Sequence, residues 1–171
     1  NGQRAAADTA VAIAPAVIVR DQFNNPVAGI AVTFAVTAGA GTASPTTPVT
    51  TDASGIAATS WTLGTTAGSN SLTATAVGLT GSPVSFSAAA TAGAATQVAL
   101  QAGDAQTATV GTTVAIAPVV IVRDQFNNPV AGVAVTFAVA TGGGTVSPAT
   151  PVTTDANGIA AATAWTLGAT A

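Results

Sequence analysis

The stretch VAIAPAVIVRDQFNNPVAGIAVTFAV runs from Val11 to Val36, and VAIAPVVIVRDQFNNPVAGVAVTFAV runs from Val114 to Val139. The second stretch begins 103 residues after the first and differs from it at only two positions. The 171-residue chain is therefore built on an internal repeat, and both copies are expected to form the same structure.

Hydrophobic and polar side chains alternate with a period of two along the repeat. Such alternation is typical of half-buried antiparallel strands, and no segment shows a helical period. The side chains expected to face the core are Ile30, Val32, Phe34 and Val36 in one segment, and Val84, Phe86 and Ala88 in another. Strands are predicted near residues 11–20, 30–37, 48–51, 56–63, 71–77, 84–90 and 96–100.

Turn residues separate these segments at regular intervals. Asn24-Asn25-Pro26 predicts one turn, and Asp52-Ala53-Ser54-Gly55 predicts another, in which Asp bonds its own backbone and Gly takes a positive φ. Seven short strands in about 100 residues favour an all-β fold. We therefore predict tandem immunoglobulin-like β-sandwiches, each made of two antiparallel sheets.

A period of this length suits a domain that closes its own core. We place the boundary in the small-residue segment 90–95. Residues 1–92 then form one repeat that lacks its first strand, and residues 93–171 form a repeat that lacks its last strands. Two explanations stay open: the segment belongs to a longer array, or neighbouring chains complete each other by exchanging strands.

One extra residue lies between Gly158 and Trp165, compared with the spacing from Gly55 to Trp61. A one-residue shift turns every following side chain of a strand to the opposite face. Keeping Trp165 in the place of Trp61 therefore requires a bulge. We predict an irregularity within Ile159–Trp165.

The composition excludes several classes of function. The chain has no His, Cys, Lys, Glu or Tyr, so the usual general bases, thiol nucleophiles and zinc ligands are missing. Three Arg and a pI near 4.1 do not suit a nucleic-acid-binding protein. The residues thus predict neither an enzyme nor a cofactor.

The mean hydropathy of +0.58 is high for a protein outside a membrane. The longest apolar run, Ala10–Val19, has ten residues and contains Pro15, whereas a spanning helix needs about 20. We therefore expect no membrane insertion in this segment. No signal-peptide pattern opens the chain, and any leader is expected upstream.

The order of motifs is similar to that of a known family. VRDQFNNPVAGVAVTF, a Gly-rich loop, TTDANGIA, a Trp-containing strand and NSLTATAVG resemble the bacterial immunoglobulin-like domain of group 1, the invasin and intimin type. The resemblance covers essentially the whole chain. It implies an immunoglobulin-like sandwich, a place outside the cell on a bacterial surface, and a rod or spacer role, and it transfers no catalytic residue.

Two sets of residues are weighed as candidate sites. The first comprises Asp21, Asp52, Asp124 and Asp155, which could bind Ca²⁺, although aspartates isolated at turns more often cap those turns. The second is a Ser-, Thr- and Pro-rich segment whose composition is typical of O-glycosylated stretches or of an ordinary exposed loop. Its candidate glycan acceptors are Ser44, Thr46, Thr47, Thr50 and Thr51.

The remaining conspicuous side chains are expected to be structural. Arg20 and Arg123 precede aspartates and suggest solvated ion pairs at strand ends. Phe23, which shares a face with Val17 and Val19, is expected to close the end of the core. Both tryptophans are expected in or near the core.

Only 5% of the residues are charged, against about 25% in a typical domain. So few charges give little repulsion between chains. Glycans on outward hydroxyls would keep such a chain in solution, or neighbouring copies would pack into a fibre. The leading hypothesis is a structural tandem repeat of a bacterial cell-surface adhesin stalk or extracellular filament, serving as spacer and self-assembling scaffold. The alternative is a carbohydrate-contacting immunoglobulin-like module of a secreted enzyme or phage particle.

Overall fold

The structure is a computed structural model that describes residues 1–170. The chain forms two compact units: unit 1 is Asn1–Thr91, and unit 2 begins at Ala92. Every regular element among the described residues is a strand, and no helix occurs there. The fold is therefore all-β, as predicted.

Unit 1 contains nine strands. Two of them, Gln3–Ala6 and Thr42–Ser44, lie outside the predicted segments, and two predicted segments differ in extent. Within the segment predicted at 11–20, only Ala16–Ile18 forms a strand, and it begins directly after Pro15, which has no N–H to donate to a ladder. The segment predicted at 56–63 is divided in two at Thr59. The strands are β1 (Gln3–Ala6), β2 (Ala16–Ile18), β3 (Ala31–Ala38), β4 (Thr42–Ser44), β5 (Val49–Thr50), β6 (Ile56–Ala58), β7 (Ser60–Thr62), β8 (Gly68–Thr75) and β9 (Val84–Thr91).

Five of these strands form one sheet in the order β1-β9-β8-β3-β5. The long strands β3, β8 and β9 are antiparallel, with Phe34 opposite Ala74 and Leu72 opposite Phe86. The expectation of purely antiparallel sheets is wrong at one edge, since β1 pairs with β9 in parallel. Chain connectivity explains this pairing: β1 and β9 lie at opposite ends of the unit's sequence and need no direct hairpin.

The second layer of unit 1 consists of the pairs β2–β6 and β4–β7. The core lies between the two layers and is filled by side chains from both, as in a sandwich. Its fully buried members include Val32, Trp61, Leu63 and Leu72. Val84, predicted to face inward, is instead exposed at the start of β9, whereas Phe86 and Ala88 face the core.

Unit 2 repeats part of this arrangement and adds a strand at its beginning. That first strand, β10, pairs with β11 in the antiparallel sense, and β11 pairs with β15. The strands are β10 (Gln97–Ala102), β11 (Val119–Arg123), β12 (Ala134–Val135), β13 (Thr145–Ser147), β14 (Val152–Thr153), β15 (Ile159–Ala161) and β16 (Ala164–Thr166).

The extra residue of the second copy lies where the prediction put it. Trp165 pairs with Val146 in β13–β16, just as Trp61 pairs with Ala43 in β4–β7. The chain bends at Thr163, between β15 and β16, and the N–H of Thr163 donates to the Ser147 carbonyl at 2.7 Å. The predicted irregularity is confirmed: the insertion is absorbed between two strands, and the tryptophan keeps its register.

Candidate functional site

The repeated DQFNNPV motif forms a closed loop held by its first aspartate. In unit 1, Oδ1 of Asp21 accepts hydrogen bonds from the backbone N–H groups of Phe23 and Asn25, both at 2.9 Å. The Asn25 side chain donates to Oδ2 at 3.1 Å, and Asn24 takes a left-handed φ of 68°. These bonds from Asn25 and Phe23 hold the pKa of Asp21 below its ordinary value.

The same loop in unit 2 is more deeply buried. Asp124 is fully excluded from solvent, and its Oδ1 accepts from the N–H groups of Phe126 and Asn128. Its Oδ2 accepts from the Asn128 side chain and from the N–H of Gly93, each at 2.9 Å. Burial raises the pKa of Asp124, but the hydrogen bonds outweigh it and hold the pKa below the ordinary value. The carboxylate therefore stays charged without a cation.

The aspartates of the second turn act in the same way. Oδ1 of Asp52 accepts from the N–H groups of Ser54 and Ile56 at 2.8 and 2.9 Å. Asp155 repeats both bonds, and its bonds with the Ile159 and Asn157 backbone lower its pKa. The glycine ending this turn has a φ of 72° in both copies, and a Cβ on Gly55 would collide with the Val19 carbonyl oxygen. The predicted turn chemistry is confirmed.

These observations decide what the aspartates can do. Each carboxylate accepts N–H donors of its own turn, and Asp124 also accepts from Gly93, whereas a calcium site needs six to eight oxygens. Within residues 1–170, no three acidic side chains come together in a group that could hold a metal ion. The four candidates Asp21, Asp52, Asp124 and Asp155 are therefore turn caps in this structure, and no site unites them.

The candidate glycan acceptors divide into exposed and buried residues. Ser44, Thr46, Thr47 and Thr50 are exposed. Thr51 is only 4% exposed, and its hydroxyl donates to the Val27 carbonyl at 2.8 Å and accepts from the Ile30 N–H at 3.0 Å. The expectation that Thr51 accepts a glycan is thus wrong, because its hydroxyl bridges two segments inside unit 1. Thr154 makes the same two bonds in unit 2.

The arginines bind their own loops and not the neighbouring aspartates. Nη1 of Arg20 donates to the Asn24 carbonyl at 2.8 Å, and Nη1 of Arg123 donates to the Asn127 side chain at 2.8 Å. The expected ion pairs at the strand ends are therefore replaced by hydrogen bonds across the turn. Both guanidinium groups stiffen the loop that the aspartates cap.

The aromatic side chains differ in exposure. Phe23 is 75% exposed, so the expectation that it closes the core is wrong: the turn capped by Asp21 carries it away from the sheet. Trp61 is 1% exposed, as expected, and its indole N–H has no hydrogen-bond partner in the structure. Trp165, at the matching position of unit 2, is only half-buried. Periodicity alone gave no signal for this difference.

The sequence profile of the bacterial Ig-like domain (group 1) matches residues 1–88, just over half of the chain. No curated protein sequence matches the chain. Among residues 1–170, no helix has the length and apolar character that crossing a membrane requires.

Several solved structures are similar to this chain. FdeC, a broadly conserved Escherichia coli adhesin, is 21% identical with a TM-score of 0.58, and the match covers 99% of this chain and 54% of FdeC. The D0-D1 domain of intimin is 23% identical with a TM-score of 0.45, over 99% of this chain and 83% of that one. The adhesin InvE of Yersinia pseudotuberculosis is 22% identical with a TM-score of 0.47, over 96% and 48%. The chain spans about half the length of FdeC and InvE, and at these identities the likeness concerns the fold alone.

Proposed function

Because the chain belongs to the bacterial Ig-like domain (group 1) family, we propose that it is a structural repeat of a bacterial cell-surface adhesin stalk or extracellular filament. In this role it is a spacer that holds another domain away from the cell, and it has no chemistry of its own. The proposal places the chain outside the cell.

The observation that carries the proposal is the use of the polar side chains. In both copies the loop aspartates, the arginines and the buried threonines bond to the backbone or to asparagines of their own unit. A binding or catalytic site needs polar groups that are directed at a ligand. In both near-identical copies these polar groups bond within their own unit and are not directed at a ligand. This use of the polar groups suits a module selected for folding and length.

A display experiment tests the spacer role. A peptide epitope is anchored to the bacterial surface through zero, one, two or four copies of the chain, and antibody access through the surface polysaccharide is measured. Access is expected to rise with copy number and to be unchanged when Phe23→Ser is introduced in every copy. A gain that is independent of copy number, or that is lost with Phe23→Ser, would contradict a spacer role.

A carbohydrate-contacting module is the second candidate, and the exposed Phe23 ring is the observation that favours it. A sugar-binding surface usually presents several exposed aromatic rings on which the sugar stacks. Trp61 cannot contribute to such a surface, because it is buried in unit 1. A glycan array decides between the two. Binding that disappears with Phe23→Ser would establish the carbohydrate module in place of the spacer.

The surface carries few charges to keep the chain in solution. The proposal therefore has a further part: either glycans on the surface keep the chain dispersed, or neighbouring copies pack together into an assembly. The exposed hydroxyls of Ser44, Thr46, Thr47 and Thr50 are the acceptors available in unit 1. The mass of the tryptic peptide of residues 21–123 from the native protein is the measurement, because this peptide carries all four hydroxyls. A mass equal to that of the unmodified peptide leaves only self-packing, which sedimentation over a range of concentrations detects.

A further inference from the structure

The turn between β14 and β15 differs from its counterpart in unit 1 by one residue that has chemistry of its own. Unit 2 has Asn157 before Gly158, where unit 1 has Ser54 before Gly55. The side-chain amide of an asparagine can be attacked by the backbone nitrogen of the next residue, and a glycine hinders this attack least because it has no side chain. Asn157 is exposed, so water and hydroxide reach it. This pair can therefore deamidate.

In the folded turn the attacking nitrogen is held by hydrogen bonds. The N–H of Gly158 donates to the Asp155 carbonyl at 3.0 Å, and the Gly158 carbonyl accepts from the Val122 N–H at 2.8 Å. The N–H of Asn157 donates to Oδ1 of Asp155 at 2.8 Å. Gly158 itself is buried, although Asn157 beside it is exposed. Attack requires a base to remove the proton of the Gly158 nitrogen, so the turn has to open first.

The products of the attack do not fit the closed turn. The ring nitrogen of a succinimide carries no hydrogen, so the bond from residue 158 to the Asp155 carbonyl is lost. Isoaspartate continues the main chain through its side-chain carbon, which adds a backbone atom between residues 157 and 158. Gly158 has no room to shift, because even a Cβ there would lie 2.5 Å from the Val122 carbonyl oxygen and 3.0 Å from the Val130 nitrogen.

We propose that Asn157 is a deamidation site that reacts only when this turn opens, and that its isoaspartate product keeps the turn open. The Gly158 nitrogen loses its proton to a base and bonds to Cγ of Asn157. The bond from Cγ to Nδ2 breaks, and ammonia leaves with a proton taken from the solvent. Water then opens the succinimide at one of its two carbonyls, which gives aspartate or isoaspartate without any transfer of electrons.

Opening of the turn affects the adjoining sheet. The Asp155 N–H donates to the Ile159 carbonyl at 2.9 Å, and Ile159 lies opposite Ile121 where β15 pairs with β11. A longer main chain at residue 157 displaces the residues that make this closure, so local opening becomes irreversible unfolding. In unit 1, Ser54 makes the same N–H bond to Asp52 at 2.8 Å and has no amide to lose. The proposal does not depend on the spacer role.

The test incubates the full chain in mildly alkaline buffer, either folded or unfolded in guanidinium chloride. Trypsin then releases the peptide of residues 124–171, and its fragment masses locate the change from amide to acid at Asn157. Isoaspartate is measured by labelling with an isoaspartyl methyltransferase. The unfolded chain is expected to convert at least about 10-fold faster than the folded chain, because the folded chain reacts only through local opening. Equal rates, or no conversion of the unfolded chain, overturn the proposal.

A matched variant moves the site to the other unit. Ser54→Asn places the same pair in the turn of unit 1 and is expected to convert slowly when folded and as fast as Asn157 when unfolded. Asn157→Ser copies the turn of unit 1 and is expected to remove the conversion with little change in the unfolding midpoint. Fast conversion of Ser54→Asn in the folded chain contradicts the protection that we assign to the closed turn.

The effect of isoaspartate is tested apart from the loss of the amide. Asn157→Asp supplies the other product with a normal main chain, and it is expected to refold and to regain slow hydrogen exchange in residues 155–161. The chain with isoaspartate, purified from the unfolded sample, is expected to refold in unit 1 but to exchange rapidly in residues 155–161. Equal protection of these residues in the two chains overturns the proposal.

Discussion

Oδ2 of Asp124 accepts a hydrogen bond from the backbone N–H of Gly93 at 2.9 Å. Asp21, at the same position of the first copy, is exposed and is bonded by its own loop. One sequence motif is therefore solvated in unit 1 and buried in unit 2, where the segment before β10 crosses it. The aspartate caps a turn in both units, and in unit 2 it also fastens the beginning of the unit.

This difference predicts unequal effects of the same substitution. In Asp124→Asn, an N–H₂ group replaces the oxygen that accepts from the Gly93 N–H and the Asn128 side chain, so both donors lose this acceptor. The stability of unit 2 should fall by about 1–3 kcal/mol. Asp21→Asn, the matched control, should cost clearly less because water replaces the lost bonds. Urea unfolding of the two variants measures both losses. Equal losses would show that the Gly93 bond contributes nothing.

The lowered pKa of Asp124 predicts acid sensitivity. A carboxyl group whose pKa is lower in the folded state binds protons more readily when unfolded, so its stabilising contribution is complete above the unfolded pKa of about 3.9. That contribution is lost as the pH falls below 3.9 and through the folded pKa. The Tm of the chain should therefore fall on going from pH 5 to pH 2. The fall should be shallower in Asp124→Asn, and parallel curves would assign it to other groups, such as Asp21 and Asp155, whose pKa values are also lowered.

The position of Thr163 between two strands predicts that its deletion is tolerated. The shortened chain regains the spacing of unit 1 and keeps Trp165 opposite Val146. It loses chiefly the bond from the Thr163 N–H to Ser147, so the free energy of unfolding should change by less than about 1.5 kcal/mol. Deleting Ile121, inside β11, should instead disrupt the pairing with β15, because the register shifts by one residue. Thermal melting of the two deletion variants distinguishes these outcomes, and similar Tm values would refute the assignment of Thr163 as the absorbed residue.

The unpaired indole N–H of Trp61 predicts a graded response to substitution. Trp61→Ala should lower the stability of unit 1 by about 3–5 kcal/mol, since it empties the core between β7 and β8. Trp61→Phe should cost much less, because the lost volume is partly offset by removal of a buried donor without a partner. Urea unfolding followed by circular dichroism measures both. A loss as large for Phe as for Ala would indicate that the N–H has a partner in solution.

Sequence alone predicts those parts of the structure that depend on short-range pattern. The alternation from Ile30 to Val36 identifies the inward face of β3, and the extra residue before Trp165 locates the break between β15 and β16. Both follow from the period of two, which is a property of neighbouring residues. The turn caps at Asp21 and Asp52 follow equally from local hydrogen bonding.

The features that sequence reasoning missed depend on distant parts of the chain. Thr51 lies at the end of a segment whose composition is typical of an exposed loop. Its hydroxyl is buried because residues 27–30 approach it and bond to it. The parallel pairing of β1 with β9 joins residues more than 80 positions apart. Phe23 is an even number of residues from Val17 and Val19, so it would share their face if the strand continued. The strand ends before Phe23, and in a turn this spacing no longer determines which way a side chain faces. These cases mark where local pattern ceases to determine side-chain environment.

The seating of the β8–β9 hairpin on β3 also has a consequence for biosynthesis. A ribosome releases residues 68–91 before it has made Phe137 or Trp165, so the nascent hairpin first meets only the β3 edge of its own unit. Translating the stretch between Thr91 and Phe137 takes at least about 2 s, whereas a hairpin forms in about 1–10 μs. Vectorial synthesis thus gives each hairpin time to close its own unit before an identical competitor edge emerges, a protection that refolding from denaturant does not provide.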